Sequence, residues 1–203
     1  MRAFWIHASL ASGPLLAWLA WAMLTFGTEA AATAHYQTVL AAAPALKSFF
    51  KAVSAVGNPI FYAVYAAILL RGIFGKRRDL TRTALVYLAV QLVVSLLLVR
   101  LLKISLGRPR PGEGFLYHPM TLEPSHHSLP SGHTCEITAA SLPLSLWRRN
   151  LLLSLTIGVL TAAVGASRVI LGWHHISDVF FGWLLGMVGG LAIYLFGVRH
   201  AHR

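Results

Sequence analysis

Long apolar runs separated by short polar joints dominate the chain. Six of these runs, of about 16 to 23 residues, are long enough to cross a bilayer as helices. They cover Ile6–Phe26, Val53–Ile73, Thr83–Lys103, Gly132–Trp147, Leu151–Ser167 and Ile176–Val198. The fourth is short and starts among polar residues. Pro14, Pro59 and Pro143 fall inside the runs, where packed membrane helices tolerate them. Gly182, Gly186 and Gly190 recur at helical spacing in the last run, which lets a neighbouring helix approach closely. The pattern predicts an all-α integral membrane bundle of six transmembrane helices, forming a single domain over residues 1–203.

Two segments break the pattern. Ala30–Lys51 is expected to form a short helix lying in the interface, because Lys47, Phe49, Phe50 and Lys51 suit headgroup depth. Ile104–Pro130 is the longest polar loop, and its Gly, Pro and Glu content argues against a span.

Composition supports the membrane reading. Of 203 residues, 57% are hydrophobic and 11% charged, whereas soluble domains carry about a quarter charged residues. Six acidic residues cannot cover a water-facing surface. The net charge of +11 is scattered between apolar runs, so loop charge and anionic lipid explain it better than nucleic acid. The single cysteine, Cys135, excludes an internal disulfide and a cysteine-based metal cage; it reads as a small buried apolar residue. The N-terminus lacks an A-x-A cleavage site, so the first run reads as a retained span.

Positive charges set the expected orientation. One side receives Arg2, the loop with Arg71, Lys76, Arg77, Arg78 and Arg82, the turn with Arg148 and Arg149, and the tail with Arg199 and Arg203. This group is the larger and reads as cytoplasmic anchoring, with both termini cytoplasmic. The other side receives Lys47, Lys51, Arg100, Lys103, Arg108, Arg110 and Arg168, several of which belong to a candidate site at the outer membrane face.

That site has three blocks: Lys103-Ile104-Ser105-Leu106-Gly107-Arg108-Pro109-Arg110-Pro111, Pro130-Ser131-Gly132-His133, and Ser167-Arg168 followed by His174-His175-Ile176-Ser177-Asp178. A spacing of four places His174 and Asp178 on one face of a helix start, close enough for the carboxylate to touch the ring. Such a contact fixes the tautomer and leaves the other ring nitrogen free as a base or nucleophile. Arg168 is a permanent cation suited to phosphate, and a charge beside an apolar span is usually functional. Ser131 is a good helix N-cap and Gly132 allows close approach to its N–H, which together make an anion cradle.

In order, these blocks match Lys-x6-Arg-Pro, Pro-Ser-Gly-His and Ser-Arg-x5-His-x3-Asp at every position. The chain thereby resembles the type-2 phosphatidic acid phosphatase superfamily, which also includes vanadium haloperoxidases and bacterial acid phosphatases. The resemblance implies that His174 attacks phosphorus, that Asp178 orients it, and that His133 protonates the leaving oxygen and later activates water. It implies that Lys103, Arg110, Arg168, Ser131 and Gly132 hold the phosphate. No metal or other cofactor is called for, because three cations supply the neutralising charge.

The implied activity is hydrolysis of a lipid phosphate or diphosphate in a bacterial inner membrane, with both termini cytoplasmic and the site periplasmic. Undecaprenyl diphosphate, phosphatidylglycerophosphate, phosphatidic acid and lipid A phosphate are the candidate substrates. A phosphotransferase using the same site, a vanadate-dependent haloperoxidase and a non-catalytic lipid-binding protein are the alternatives. Singly, each site residue also has a structural reading: Lys103 and Arg110 as interfacial anchors, His133 and His174 as satisfied structural histidines, Asp178 as a helix N-terminal charge. Arg108 is expected beside the site or facing headgroups. His118, Glu123, His126 and His127 read as loop residues, His175 as pointing to another face, and Glu136 as sharing the face of His133.

Overall fold

The computed structural model describes residues 2–199, so Arg203 lies outside the described residues. Among these residues it is helical without strands. We label the helices α1 (Arg2–Phe26), α2 (Glu29–Ala42), α3 (Pro44–Phe74), α4 (Arg78–Leu106), α5 (Gly132–Arg148), α6 (Leu151–Ile170) and α7 (Ile176–Val198). Sequence chemistry marks their starts. Thr28 accepts a hydrogen bond from the Ala31 N–H at 3.1 Å, and Asn150 accepts from the Leu153 N–H at 2.9 Å; both are N-caps. Pro44 opens α3 at a position where its missing N–H costs nothing.

Five helices, α1, α3, α4, α6 and α7, are long and apolar enough to cross a membrane. The sixth expected span, α5, has 17 residues, a length of about 25 Å against roughly 30 Å of hydrocarbon. Its position explains the shortfall. It runs through the middle of the bundle, with Cys135, Ile137, Ala139, Ala140 and Leu142 almost fully buried. Shielded by its neighbours, it can carry Thr, Ser, His and Glu that a lipid-facing helix could not. The outer surface is the inverse of a soluble protein: Leu92, Val93, Leu96 and Leu97 of α4 are each more than half exposed, as expected for side chains facing acyl chains.

Close contact between α5 and α7 follows the glycine stripe. A Cβ on Gly182 would sit 2.5 Å from the Ser131 carbonyl oxygen, and one on Gly186 would sit 2.5 Å from the Cys135 carbonyl oxygen. Only hydrogen side chains allow these backbones to meet. On the other flank, the Tyr65 and Tyr87 rings stack at 3.6 Å, and the Tyr65 hydroxyl donates to the Ala140 carbonyl at 3.0 Å. These contacts tie α3 and α4 to the central helix.

The segment expected as one interfacial helix is divided. The chain breaks at Ala43, and Lys47, Phe49, Phe50 and Lys51 form the first turns of α3 instead. At 31 residues, α3 is about 46 Å long. It exceeds the hydrocarbon thickness, so its basic first turns can still reach headgroup depth. Chain direction puts the ends of α1, α4 and α6 and the starts of α5 and α7 at one end of the bundle. The starts of α1, α4 and α6 gather at the other end, where Ser145 donates to the His7 carbonyl and Thr83 to the Gly197 carbonyl.

Candidate active site

All three sequence blocks meet at the first of these ends. Lys103 lies in the last turn of α4, Ser131, Gly132 and His133 start α5, Arg168 lies in the last turn of α6, and Asp178 in the first turn of α7. His174 sits in the tight turn between α6 and α7, two residues before the helix, rather than on a helical face. That turn is built by the Arg168 carbonyl, which accepts from the Trp173 and His174 N–H groups at 3.0 and 3.1 Å.

Asp178 is wholly buried and more heavily engaged than a partner of His174 alone. Its Oδ1 accepts from Arg108 Nη1 at 2.6 Å, and its Oδ2 accepts from the Ser128 hydroxyl and from the His175 N–H at 2.8 Å. His174 Nδ1 faces the same Oδ2 at 3.6 Å, longer than a hydrogen bond, and has no other partner. The expected contact is therefore an approach within ionic reach. It leaves Nε2 as the ring nitrogen turned away from the carboxylate. His174 is 2% exposed, and burial lowers its imidazole to about 3, with the pull of Asp178 outweighed. The ring is neutral across physiological pH, the state a nucleophile requires.

The three expected cations lie at this end of the bundle, and two of them, Lys103 and Arg168, act on both rings. Arg168 is 6% exposed; its Nη1 donates to the Ser54 hydroxyl at 2.7 Å and its guanidinium lies 4.3 Å over the Trp173 ring. The Arg168 Nε has no partner among the described residues. Lys103 Nζ donates to the His127 carbonyl at 2.8 Å, which leaves two further protons for a ligand. Arg110 donates from Nε to the Pro124 carbonyl at 3.0 Å, so its terminal nitrogens stay free. The charges of Lys103 and Arg168 act on both His133 and His174, and Arg110 acts on Lys103 and Arg168. Like charge is thereby concentrated around the buried His174 and the part-buried His133, a setting that favours an anion.

Ser131 caps α5 as expected, accepting from the Thr134 N–H at 3.5 Å while sharing a 2.9 Å bond with the Thr134 hydroxyl. Its own N–H donates to the Asp178 carbonyl at 2.9 Å, which locks α5 against α7. Its side chain is fully buried. What remains of the cradle is the part-buried backbone start of α5 at Gly132 and His133, carrying the positive end of the helix dipole.

Several supporting residues gave little sequence signal. Ser54 and Asn58 share a face of α3; Ser54 holds Arg168, and Asn58 donates to the His133 carbonyl at 3.3 Å and to the Glu136 carboxylate. A polar pair spaced by four in an apolar run was the available clue. Arg108, expected beside the site, bridges Asp178 and Glu29, donating to Glu29 Oε2 at 2.7 Å. Glu29 also accepts from the Ser177 N–H at 2.6 Å, so α2 is tied to the start of α7. His175 Nε2 lies 3.2 Å from the Pro109 carbonyl, and its Nδ1 lies 3.9 Å from Glu29. His127 is buried and its carbonyl holds Lys103, while His126 stays within the loop, in contact with Ser125 and the His118 ring.

Comparison with known proteins places the chain in a family. The family model of the PAP2 superfamily matches residues 84–201, more than half of the chain and all three blocks. The fold is similar to the crystal structure of a transmembrane PAP2 type phosphatidylglycerolphosphate phosphatase from Bacillus subtilis. That match has a TM-score of 0.60 at 22% sequence identity and covers 90% of this chain and 93% of that one. With the Lys-Arg, Ser-Gly-His and Arg-His-Asp blocks assembled at one end of an apolar bundle, this chain is an integral membrane phosphatase belonging to the PAP2 superfamily.

Proposed function

We propose that the protein hydrolyses the phosphate monoester or diphosphate of a membrane lipid through a phosphohistidine on His174. The observation that carries this reading is the convergence of the buried His174 and Asp178, the part-buried His133 and the cations Lys103, Arg110 and Arg168 at one end of a lipid-facing bundle. His174 Nε2 attacks phosphorus as the bond to the leaving oxygen breaks, and His133 gives that oxygen its proton. Asp178, whose Oδ2 faces Nδ1 at 3.6 Å, stabilises the positive charge the ring acquires. In the second half, His133 takes a proton from water, the water oxygen attacks phosphorus, and the P–N bond breaks to release inorganic phosphate. Lys103, Arg110 and Arg168, with the Ser131-Gly132 start of α5, hold the phosphoryl oxygens as their charge redistributes.

A lipid substrate fits the setting, since a headgroup can reach the cations while its tails stay between the helices. Phosphatidylglycerolphosphate is the first candidate, given what the Bacillus subtilis neighbour is named for; undecaprenyl diphosphate, phosphatidic acid and lipid A phosphate complete the set. Residues 1–203 act as one unit in a bacterial inner membrane. The end carrying Arg71, Lys76, Arg77, Arg78, Arg82, Arg148 and Arg149 is cytoplasmic, together with both termini. The site then opens on the periplasmic side. The test is phosphate release by purified protein from each lipid in detergent. At least one lipid is expected to turn over and His174→Ala to abolish release with the fold retained. Full release by that variant would overturn the reading.

A further inference from the structure

A second cavity, of about 650 Å³, lies at the opposite end of the bundle between α3, the start of α4, the end of α5 and the start of α6. Such a volume is typical of ligand sites, roughly 300–1,000 Å³. Much of its wall is apolar, with the part-buried Ile68 and Leu144 beside the exposed Val64 and Leu160. Its lining also contains Arg71, Arg77 and Arg148, contributed by three different parts of the fold. Arg77 is neutralised by Asp79, with its Nη2 at 2.7 Å from Oδ2. Arg71 and Arg148, both exposed, have no side-chain hydrogen-bond or ion-pair partner among the described residues.

Each arginine alone has an ordinary explanation, since cations favour helix C-terminal turns and the cytoplasmic flank of spans. Neither explanation brings two unpaired guanidinium groups to a single apolar cavity. The combination matches one kind of ligand: a phosphate for the arginines and an acyl chain for the wall below.

We propose that this cavity binds an anionic phospholipid of the leaflet facing away from the active site, its phosphate held by Arg71 and Arg148 and one acyl chain lying along Val64, Ile68 and Leu160. The site is non-catalytic, because its lining contains no histidine and no carboxylate. It is also distinct from the catalytic end: His133 and Arg148 lie about 22 Å apart along α5. The inference does not depend on which lipid the active site hydrolyses.

Native mass spectrometry of the full chain in detergent, titrated with phosphatidylglycerol or phosphatidylcholine, tests this. Wild type is expected to bind phosphatidylglycerol in preference to phosphatidylcholine. Arg71→Ala with Arg148→Ala should weaken phosphatidylglycerol binding about thirtyfold, at roughly fivefold per arginine, and leave phosphatidylcholine binding and phosphate release unchanged. Leu160→Trp, which fills the wall and keeps the charge, should weaken it as well. If the double variant fails to fold, Arg148→Gln alone carries the charge test. Equal binding of the two lipids, wild-type affinity in either class of variant, or a second copy of the chain covering the cavity would overturn the proposal.

Discussion

Arg108, itself part-buried, pairs with the fully buried Asp178, with Nη1 2.6 Å from Oδ1, and this pair, with the bonds from Ser128 and the His175 N–H, anchors the carboxylate in place of a hydrogen bond to His174. Breaking a buried pair from one side leaves the other charge uncompensated, at a cost of about 3–5 kcal/mol. Arg108→Ala is therefore expected to lower thermal stability in detergent and to reduce kcat by at least about tenfold. Arg108→Lys should recover stability before it recovers kcat, because a single ammonium cannot bridge Asp178, Ser177 and Glu29 together. Unchanged kcat in Arg108→Ala would remove this residue from the account.

Helix approach makes a second prediction. Gly182→Ala places a methyl group 2.5 Å from the Ser131 carbonyl and 3.2 Å from the Ser131 side chain. Overpacking of this kind costs about 1–3 kcal/mol, and here the strain falls on the cradle itself. Activity should fall together with melting temperature. Gly13→Ala meets nothing within 4 Å and should be silent in both measurements. Equal behaviour of the two variants would contradict the close packing of α5 on α7.

The pH behaviour of His174 gives a third. With its folded ring lowered to about 3, His174 should show no titration between pH 5 and 8 in histidine NMR spectra of the solubilised protein. An unfolded histidine takes up a proton near 6.5. Between about 6.5 and 3 the unfolded state therefore binds the extra proton, and folding stability is expected to drop as pH falls through that window. A His174 resonance titrating near neutrality would show that the ring is not sequestered as described.

Much of this arrangement was legible in the chain. Apolar runs gave the spans because a bilayer imposes a length, and the three polar blocks stood out because charge inside apolar sequence is costly. Gly182 and Gly186 announced a close helix contact, which α5 supplies. What stayed hidden was tertiary. No local pattern could show that Glu29, far from the motif, would clamp Arg108 and the Ser177 N–H. Nor could it show that Ser54 would hold Arg168. The expected His174–Asp178 contact assumed a helix running through both residues; the chain instead turns at Gly172 and places His174 before the helix, lengthening the separation to 3.6 Å. Pro44 likewise cut a segment whose composition looked continuous.

The nucleophile is the claim on which the chemistry rests, and trapping the intermediate tests it most directly. Protein mixed with lipid labelled in its terminal phosphate should be quenched within one turnover and mapped by mass spectrometry. An acid-labile, alkali-stable phosphoryl group is expected on His174, absent from His174→Ala and accumulating in His133→Ala when a leaving group that needs no proton is used. Turnover with no label on His174, or label on any other residue, would contradict that claim.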